Sequence, residues 1–409
     1  MTIAALEALT FGLGHLVRAA AHAGHRLCLL TQDRAVYRHE LARLDPGALD
    51  VVAADTGDPA ACAAALGRYP DLAGLINCTD TFSVPGADLA AELGLPGPDP
   101  AAVRLIRDKR RVRALLFERG LSQLRALPVD PGPGSAAEVI GSIGLPAVLK
   151  DSAGTSSRSV WLARDEDALR AALTAAASAP LKGGLFAEPL VAGPLYSAET
   201  LSWARRTRLL GVHSRQLSPE PAVREEAAAF PVALPDAESA RVEEWTGALL
   251  AAVGHESGFA HVEFILTADG PELVEINRRI GGALVGEALC RRLGVNVYEA
   301  EIDTALGRRP ALLDAPPGTG PASGFVLVYP DGPGTLTGWR GLDDLSAFPG
   351  APEWYPTLAP GDRVAHVGDQ RGCTGIVLAE GATAELALHR ALSAAGSVRP
   401  VMEPNGQGS

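Results

Sequence analysis

His261-Val262-Glu263-Phe264-Ile265-Leu266, a turn at Ala268-Asp269-Gly270, and then Leu273-Val274-Glu275-Ile276-Asn277-Arg278-Arg279-Ile280-Gly281-Gly282 make up the most informative stretch of this chain. Two apolar runs joined by a short polar turn read as a β-hairpin. Residues two apart on an extended strand share a face, so Glu275 and Asn277 point together, and Glu263 on the neighbouring strand can face the same side. Two carboxylates and an amide oxygen are hard oxygen donors, the set Mg²⁺ prefers when nucleotide phosphates supply further ligands. Beyond them, Arg279 and the Gly281-Gly282 turn offer a guanidinium and free backbone N–H groups where a carboxylate or acyl phosphate can be held. Taken in isolation, the same residues also fit an exposed polar strand face with paired Glu and Arg.

Upstream features point the same way. Leu145-Pro146-Ala147-Val148-Leu149-Lys150 is an apolar strand ending in a lysine, a costly placement without an anionic partner, and polyphosphate is one such partner. The following segment, Ala153 to Ser159, is small and hydroxyl-rich between two strands. It can close over phosphates as a flap, or it is an ordinary hairpin turn. Leu185-Phe186-Ala187-Glu188-Pro189-Leu190-Val191 runs into the turn Ala192-Gly193-Pro194, a hinge that can offer backbone groups to an adenine edge between apolar side chains. Arg107 to Arg111 is a basic run on a helix, which by itself is most simply a solvated face.

The chain has 409 residues, enough for several packed lobes with a buried site between them. A formal net charge of -12 argues against nucleic acid and anionic membrane as partners. No basic start precedes an apolar leader, and no run of apolar residues is long enough to span a bilayer, so a soluble, uncleaved protein is expected. Five scattered cysteines show no metal or redox spacing and fit a reducing cytoplasm. From Ile3 to Asn77, strand-length runs alternate with helical stretches, as in a parallel α/β lobe. A helix carrying Ile106, Val112, Leu115 and Leu116 follows, and Pro/Gly stretches at 130–135 and 314–321 punctuate the rest. The expected units are 1–105, 106–320 with a small subdomain inserted at about 125–190, 321–398, and a frayed tail over 399–409. Gly12 and Gly14 with Asp33 imitate a dinucleotide fingerprint, but Val17 occupies the third glycine position, and a tight strand-to-helix turn accounts for the glycines equally well.

In their order along the chain, these features resemble the ATP-grasp superfamily. The Glu-Ile-Asn-x-Arg-x-Gly-Gly run of 275–282 with the upstream His-x-Glu-Phe looks like the carboxylate-amine ligases, especially the L-amino acid ligase or dipeptide synthase branch. Pro360-Gly361-Asp362-Arg363-Val364 through Ala379-Glu380-Gly381 resembles that branch's C-terminal lobe. The resemblance implies a mixed α/β and α+β architecture: an N-terminal Rossmann-like parallel α/β lobe, an ATP-binding centre of two subdomains, and a small C-terminal lobe. It implies ATP contacts from Lys109 and Lys150, a phosphate cover at Gly154, Thr155, Ser156 and Ser157, and adenine recognition by Glu188 and the backbone of Val191. Metal would be held by Glu263, Glu275 and Asn277, as two Mg²⁺ ions for which Mn²⁺ can substitute. Arg279 and Lys150 would act on the transferred group. The family's ribose-binding Glu is replaced by Leu195, leaving Glu199 in a shifted register, and Arg278 stands where Pro is common, a positive charge that points weakly to an acidic substrate. The implied activity is ADP-forming amide or peptide synthesis from small-molecule carboxylate and amine substrates through an acyl phosphate; a homodimer is compatible with it. The alternatives are a biotin-carboxylase-like enzyme activating bicarbonate and a non-catalytic nucleotide-binding regulator. The only methionines are Met1 and Met402, so the chain has no Met-Lys-Met biotin acceptor of its own.

Overall fold

Strand β1 (Thr2–Leu6) is buried along its whole length, as a run of apolar residues must be when both faces of a parallel sheet are covered. It pairs in parallel with β2 (Arg26–Thr31) and β4 (Leu72–Ile76), and β2 pairs with β3 (Leu49–Ala53), giving the order β3-β2-β1-β4. The computed structural model describes residues 1–155, 158–220 and 223–404. The helix after β1, Leu13–His22, starts at Gly12, whose φ is 103° and where an added Cβ would lie 2.0 Å from Tyr298 Oη. One of the first amides of that helix is already taken, since Gly14 N–H donates to the Glu40 carboxylate at 3.0 Å, and Asp33 caps its own turn by accepting from Ala35 N–H. The glycines that imitate a dinucleotide fingerprint thus serve a tight turn.

The helix expected through Ile106 and Leu116 is two helices, Pro100–Arg107 and Lys109–Glu118. Asp108 between them is extended, and its carboxylate accepts from Arg111 N–H at 3.0 Å, so an N-cap restarts the helix there. The break lifts Lys109 out of a solvated basic face: its backbone N–H donates to Ser152 O at 2.9 Å, and its side chain turns inward.

Strands β5 (Leu127–Pro128), β6 (Ala147–Asp151), β7 (Val160–Ala163) and β8 (Leu185–Pro189) form an antiparallel sheet ordered β5-β8-β6-β7. The helices Ala136–Ser142 and Glu166–Ala177 pack on it through Val139, Leu169 and Leu173. The next strands are β9 (Leu195–Trp203), β10 (Arg206–Leu217), β11 (Glu225–Phe230), β12 (Gly258–Thr267) and β13 (Gly270–Asn277). They are followed by β14 (Ala322–Val328), β15 (Gly334–Arg340), β16 (Glu353–Pro356), β17 (Arg363–Val364), β18 (Gly375–Gly381) and β19 (Arg399–Glu403).

Among the described residues the central sheet has eight strands, ordered β13-β12-β9-β10-β11-β14-β18-β16. The C-terminal region joins this sheet: β14 pairs with β11 from Ala227↔Val326 to Phe230↔Ser323, and the hydrogen bonding runs on through β18. Such pairing covers what would otherwise be the exposed edge of β11. Of the described C-terminal strands, β17-β15-β19 form a small sheet of their own. The tail expected from 399 is ordered as far as β19, which pairs with β15 from Thr335↔Glu403 to Arg340↔Arg399. The open edge of β15 supplies backbone partners that no apolar pattern in the tail announces; residues 405–409 lie outside the described residues. No described helix is long and apolar enough to cross a membrane, and all five cysteines are free and buried.

Candidate active site

A cavity of about 650 Å³ opens between the β5–β8 sheet and the central sheet, closed on a third side by Thr10, Phe11 and Asp80 of the N-terminal region. Its walls are of two kinds. Val148, Val160, Leu162, Val191, Leu195 and Ile265 present apolar surface from both sheets. Lys109, Lys150, Glu263, Glu275 and Arg279, each anticipated from the sequence, bring charge into the same space.

The hairpin β12–β13 sets the carboxylates: Glu263 pairs directly with Glu275, and His261 with Asn277. Asn277 is buried on the same strand face as Glu275, and its Nδ2 donates to Glu275 Oε1 at 2.9 Å. Lys109 Nζ lies 2.9 Å from Glu275 Oε2 and 2.6 Å from Gly154 O, tying the hairpin to the loop after β6. Burial opposes ionisation of Glu275, but Lys109 outweighs it and holds the carboxyl well below its usual range. That loop is surrounded by positive charge. Arg107 Nη2 donates to Ala153 O at 3.1 Å, and Lys182, whose backbone N–H donates to Asp151, has its pKa pushed down by burial and then by Arg158 and Arg107. Crowded cations around small residues form a ready seat for a polyanion. Gly154 and Thr155 line the cavity; Ser156 and Ser157 lie outside the described residues.

Glu188 is 2% exposed, its carboxylate shared between Lys150 Nζ at 2.6 Å and Arg113 Nε at 2.8 Å. Arg113 also donates to Leu273 O and, at 3.2 Å, to Ser122 Oγ, so this ion triad clamps the small sheet to β13. With both oxygens engaged, Glu188 is a counter-ion in the wall. Breaking a buried pair by removing one partner leaves an uncompensated charge. Arg113→Met is therefore expected to cost about 3–5 kcal/mol, read as a lower midpoint in chemical denaturation; an unchanged midpoint would show that the triad carries no stability.

Two residues with no sequence signal complete the charged wall. Arg215, 8% exposed, stands 3.1 Å from Glu225 and 3.4 Å from Glu263. Glu225 accepts from Gln370 at 3.0 Å through one oxygen, while Oε1 is buried with no partner among the described residues. Burial raises its pKa against the pull of Arg215. Arg279 is held by Asp80, with Nε at 2.9 Å and Nη2 at 2.5 Å.

Glu199 does not reach the cavity. It is 1% exposed, accepts from His261 Nδ1 at 2.7 Å, and lies beside His261 across the β9–β12 pairing, so the ribose contact expected of it is corrected to a buried counter-ion. Burial disfavours a charged His261 and Glu199 favours it, raising the pKa to about 9. His261 Nε2 lies 3.3 Å from Glu263 Oε1, which also favours the charged ring, and 3.1 Å from the Arg215 guanidinium, which opposes it. Arg278 is corrected as well: its Nε donates to His255 and its Nη2 to Ser257 O, on the side of the strand away from the cavity, so it bears on no substrate charge there.

The donor chemistry fits Mg²⁺ bound together with a nucleotide. Glu263 and Glu275 face one another across the hairpin, and because the Asn277 NH₂ is turned to Glu275, its carbonyl oxygen remains available as an acceptor. Among the described residues no group of three or more His, Cys, Asp or Glu forms a metal site alone, so a bound ion would take further ligands from phosphate.

Residues 326–403 match the family model for the L-amino acid ligase C-terminal domain 2. An uncharacterised protein of Sinorhizobium fredii is 28% identical over 86% of this chain and 72% of its own length. Human carnosine synthase 1 is 28% identical over 63% of this chain, which spans only 33% of that longer protein. The crystal structure of an L-amino acid ligase from Bacillus licheniformis superposes with a TM-score of 0.80 at 19% identity, covering 98% of both chains. The fold is thus that of the ATP-grasp ligases, and the cavity between its two sheets carries the paired lysines and carboxylates singled out from the sequence. In its C-terminal residues and in its overall fold the chain is similar to the L-amino acid ligases.

Proposed function

We propose that this enzyme joins an amino acid or small carboxylic acid to an amine, forming an amide or peptide in specialised metabolism at the cost of ATP to ADP. The observation that carries the reading is the single cavity in which apolar walls, Lys109 and Lys150, the carboxylates Glu263 and Glu275, and the cations Arg279 and Arg215 meet. In this reading the adenine lies between the apolar walls near Val191, the two lysines bind the phosphates, and the loop at Gly154 and Thr155 covers them. Mg²⁺ held by Glu263, Glu275 and Asn277 would lower the repulsion between phosphate and an incoming carboxylate.

The acid's oxygen attacks the γ-phosphorus, the bond to ADP breaks, and Arg279 holds the resulting acyl phosphate. The amine then attacks the acyl carbon, gives up a proton and releases phosphate. The unpartnered oxygen of Glu225 is suited to an ammonium, which favours an α-amino acid as the acid component. Turnover with an ¹⁸O-labelled carboxylate is expected to move one label into the released phosphate and to yield ADP. AMP and pyrophosphate as stoichiometric products would rule the route out.

A further inference from the structure

A second cavity, of about 280 Å³, shares no lining residue with the first. It lies between the helices Ser83–Glu92 and Glu299–Ala305, the Pro96–Pro98 loop and the start of β12. Leu75, Ile76, Ala87, Ala90 and Phe259 give it apolar walls, and two opposite charges enter it, Arg278 and Glu301. Arg278 uses Nε on His255 at 2.9 Å and Nη2 on Ser257 O at 3.1 Å, and Nη1 has no partner among the described residues. Glu301 has no hydrogen-bond or ion-pair partner among them either; burial raises its pKa to about 7, with Arg278 acting on it only through space.

Both residues are half-buried and neither charge is neutralised by a hydrogen-bonded or ion-paired counter-charge among the described residues, so a ligand that pairs each would be favoured there. A small molecule with a carboxylate and an ammonium on one carbon, and an apolar side chain, does so at both ends and along the walls. We propose that this cavity is a second binding site, for a free α-amino acid, with its carboxylate on Arg278, its ammonium on Glu301 and its side chain among Leu75, Ile76 and Phe259. The site has a covalent route to the reaction centre. Arg278 directly precedes Arg279, and the wall residues Asn77 and Ser83 flank Asp80, which grips Arg279; Ser83 Oγ also donates to Asp80 O at 2.9 Å. None of this depends on the ligase reaction proposed above.

The test is equilibrium dialysis of the full chain, without nucleotide, against each of the twenty amino acids, with 4-methylpentanoate and 3-methylbutylamine as controls that carry one head group each. Glu301→Gln removes the charge, Thr304→Trp fills the cavity, and Glu225→Gln disables the other site. Glu301→Gln takes away a half-buried charge that has no partner among the described residues, so the fold has no reason to suffer. The expected result is an amino acid whose binding weakens at least tenfold in Glu301→Gln and in Thr304→Trp, survives in Glu225→Gln, and is at least tenfold tighter than either control. Binding that persists in the first two variants and vanishes in the third, or no binding by any of the twenty, would overturn the proposal.

Discussion

Glu275→Gln is expected to leave the fold and its denaturation midpoint nearly unchanged while ADP release falls by about 100-fold or more, the scale of losing a charge that acts on the transition state. The substitution keeps the shape and keeps an oxygen to accept from Asn277 Nδ2, so the strand has little reason to move. What it removes is the negative charge that now sits 2.9 Å from Lys109 and directly across the hairpin from Glu263. With one carboxylate fewer, the Mg²⁺ concentration needed for half-maximal rate should rise, because a hard cation depends on ligand charge. Rates are to be measured across a magnesium titration beside a nucleotide-binding titration. Normal turnover at limiting Mg²⁺ would mean that the Glu-Ile-Asn run is only a polar strand face.

A different signature is expected of Arg279→Ala, since in the proposed reaction this guanidinium touches the transferred group and not the metal. Nucleotide should bind with near-normal affinity, whereas carboxylate-dependent turnover should fall by about 10²–10³-fold. Asp80 loses its partner in this variant; it is 14% exposed, so part of the charge can be solvated, and the stability loss should be smaller than for Arg113→Met. If Arg279→Ala weakens nucleotide binding as much as turnover, the residue belongs to the nucleotide site and the acyl-phosphate role is wrong.

The hairpin was readable because strand periodicity is local. Glu275 and Asn277 share a face on any extended strand, but the two-residue turn alone would set Glu263 opposite Val274, and it is a one-residue bulge between Glu263 and Phe264 that brings Glu263 opposite Glu275. Lys150 was readable for a similar reason, standing at the end of an apolar run where a charge needs an explanation. Glu199 failed the same kind of reasoning. Alternation along β9 puts it on the face of Leu195, but not how deep it lies, and depth handed its carboxylate to His261. Arg278 lies beyond the end of β13, where strand alternation no longer fixes direction: its side chain turns to His255, and its neighbour Arg279 takes the cavity side.

By itself the sequence determined the order of elements, the hairpin and its acids, the lysine that ends β6 and the apolar hinge after β8, all of which depend on residues within a dozen positions of one another. Only the tertiary structure decided which charges neutralise which. Arg279 meets Asp80 across 199 residues, Arg113 meets Glu188 across 75, and Arg215 reaches a cavity that Glu225 and Glu263 enter from different strands. Ion pairs of this kind have no period and no spacing, because partners are chosen by which segments the packed sheets bring within a few ångströms, and by the cost of leaving a buried charge alone.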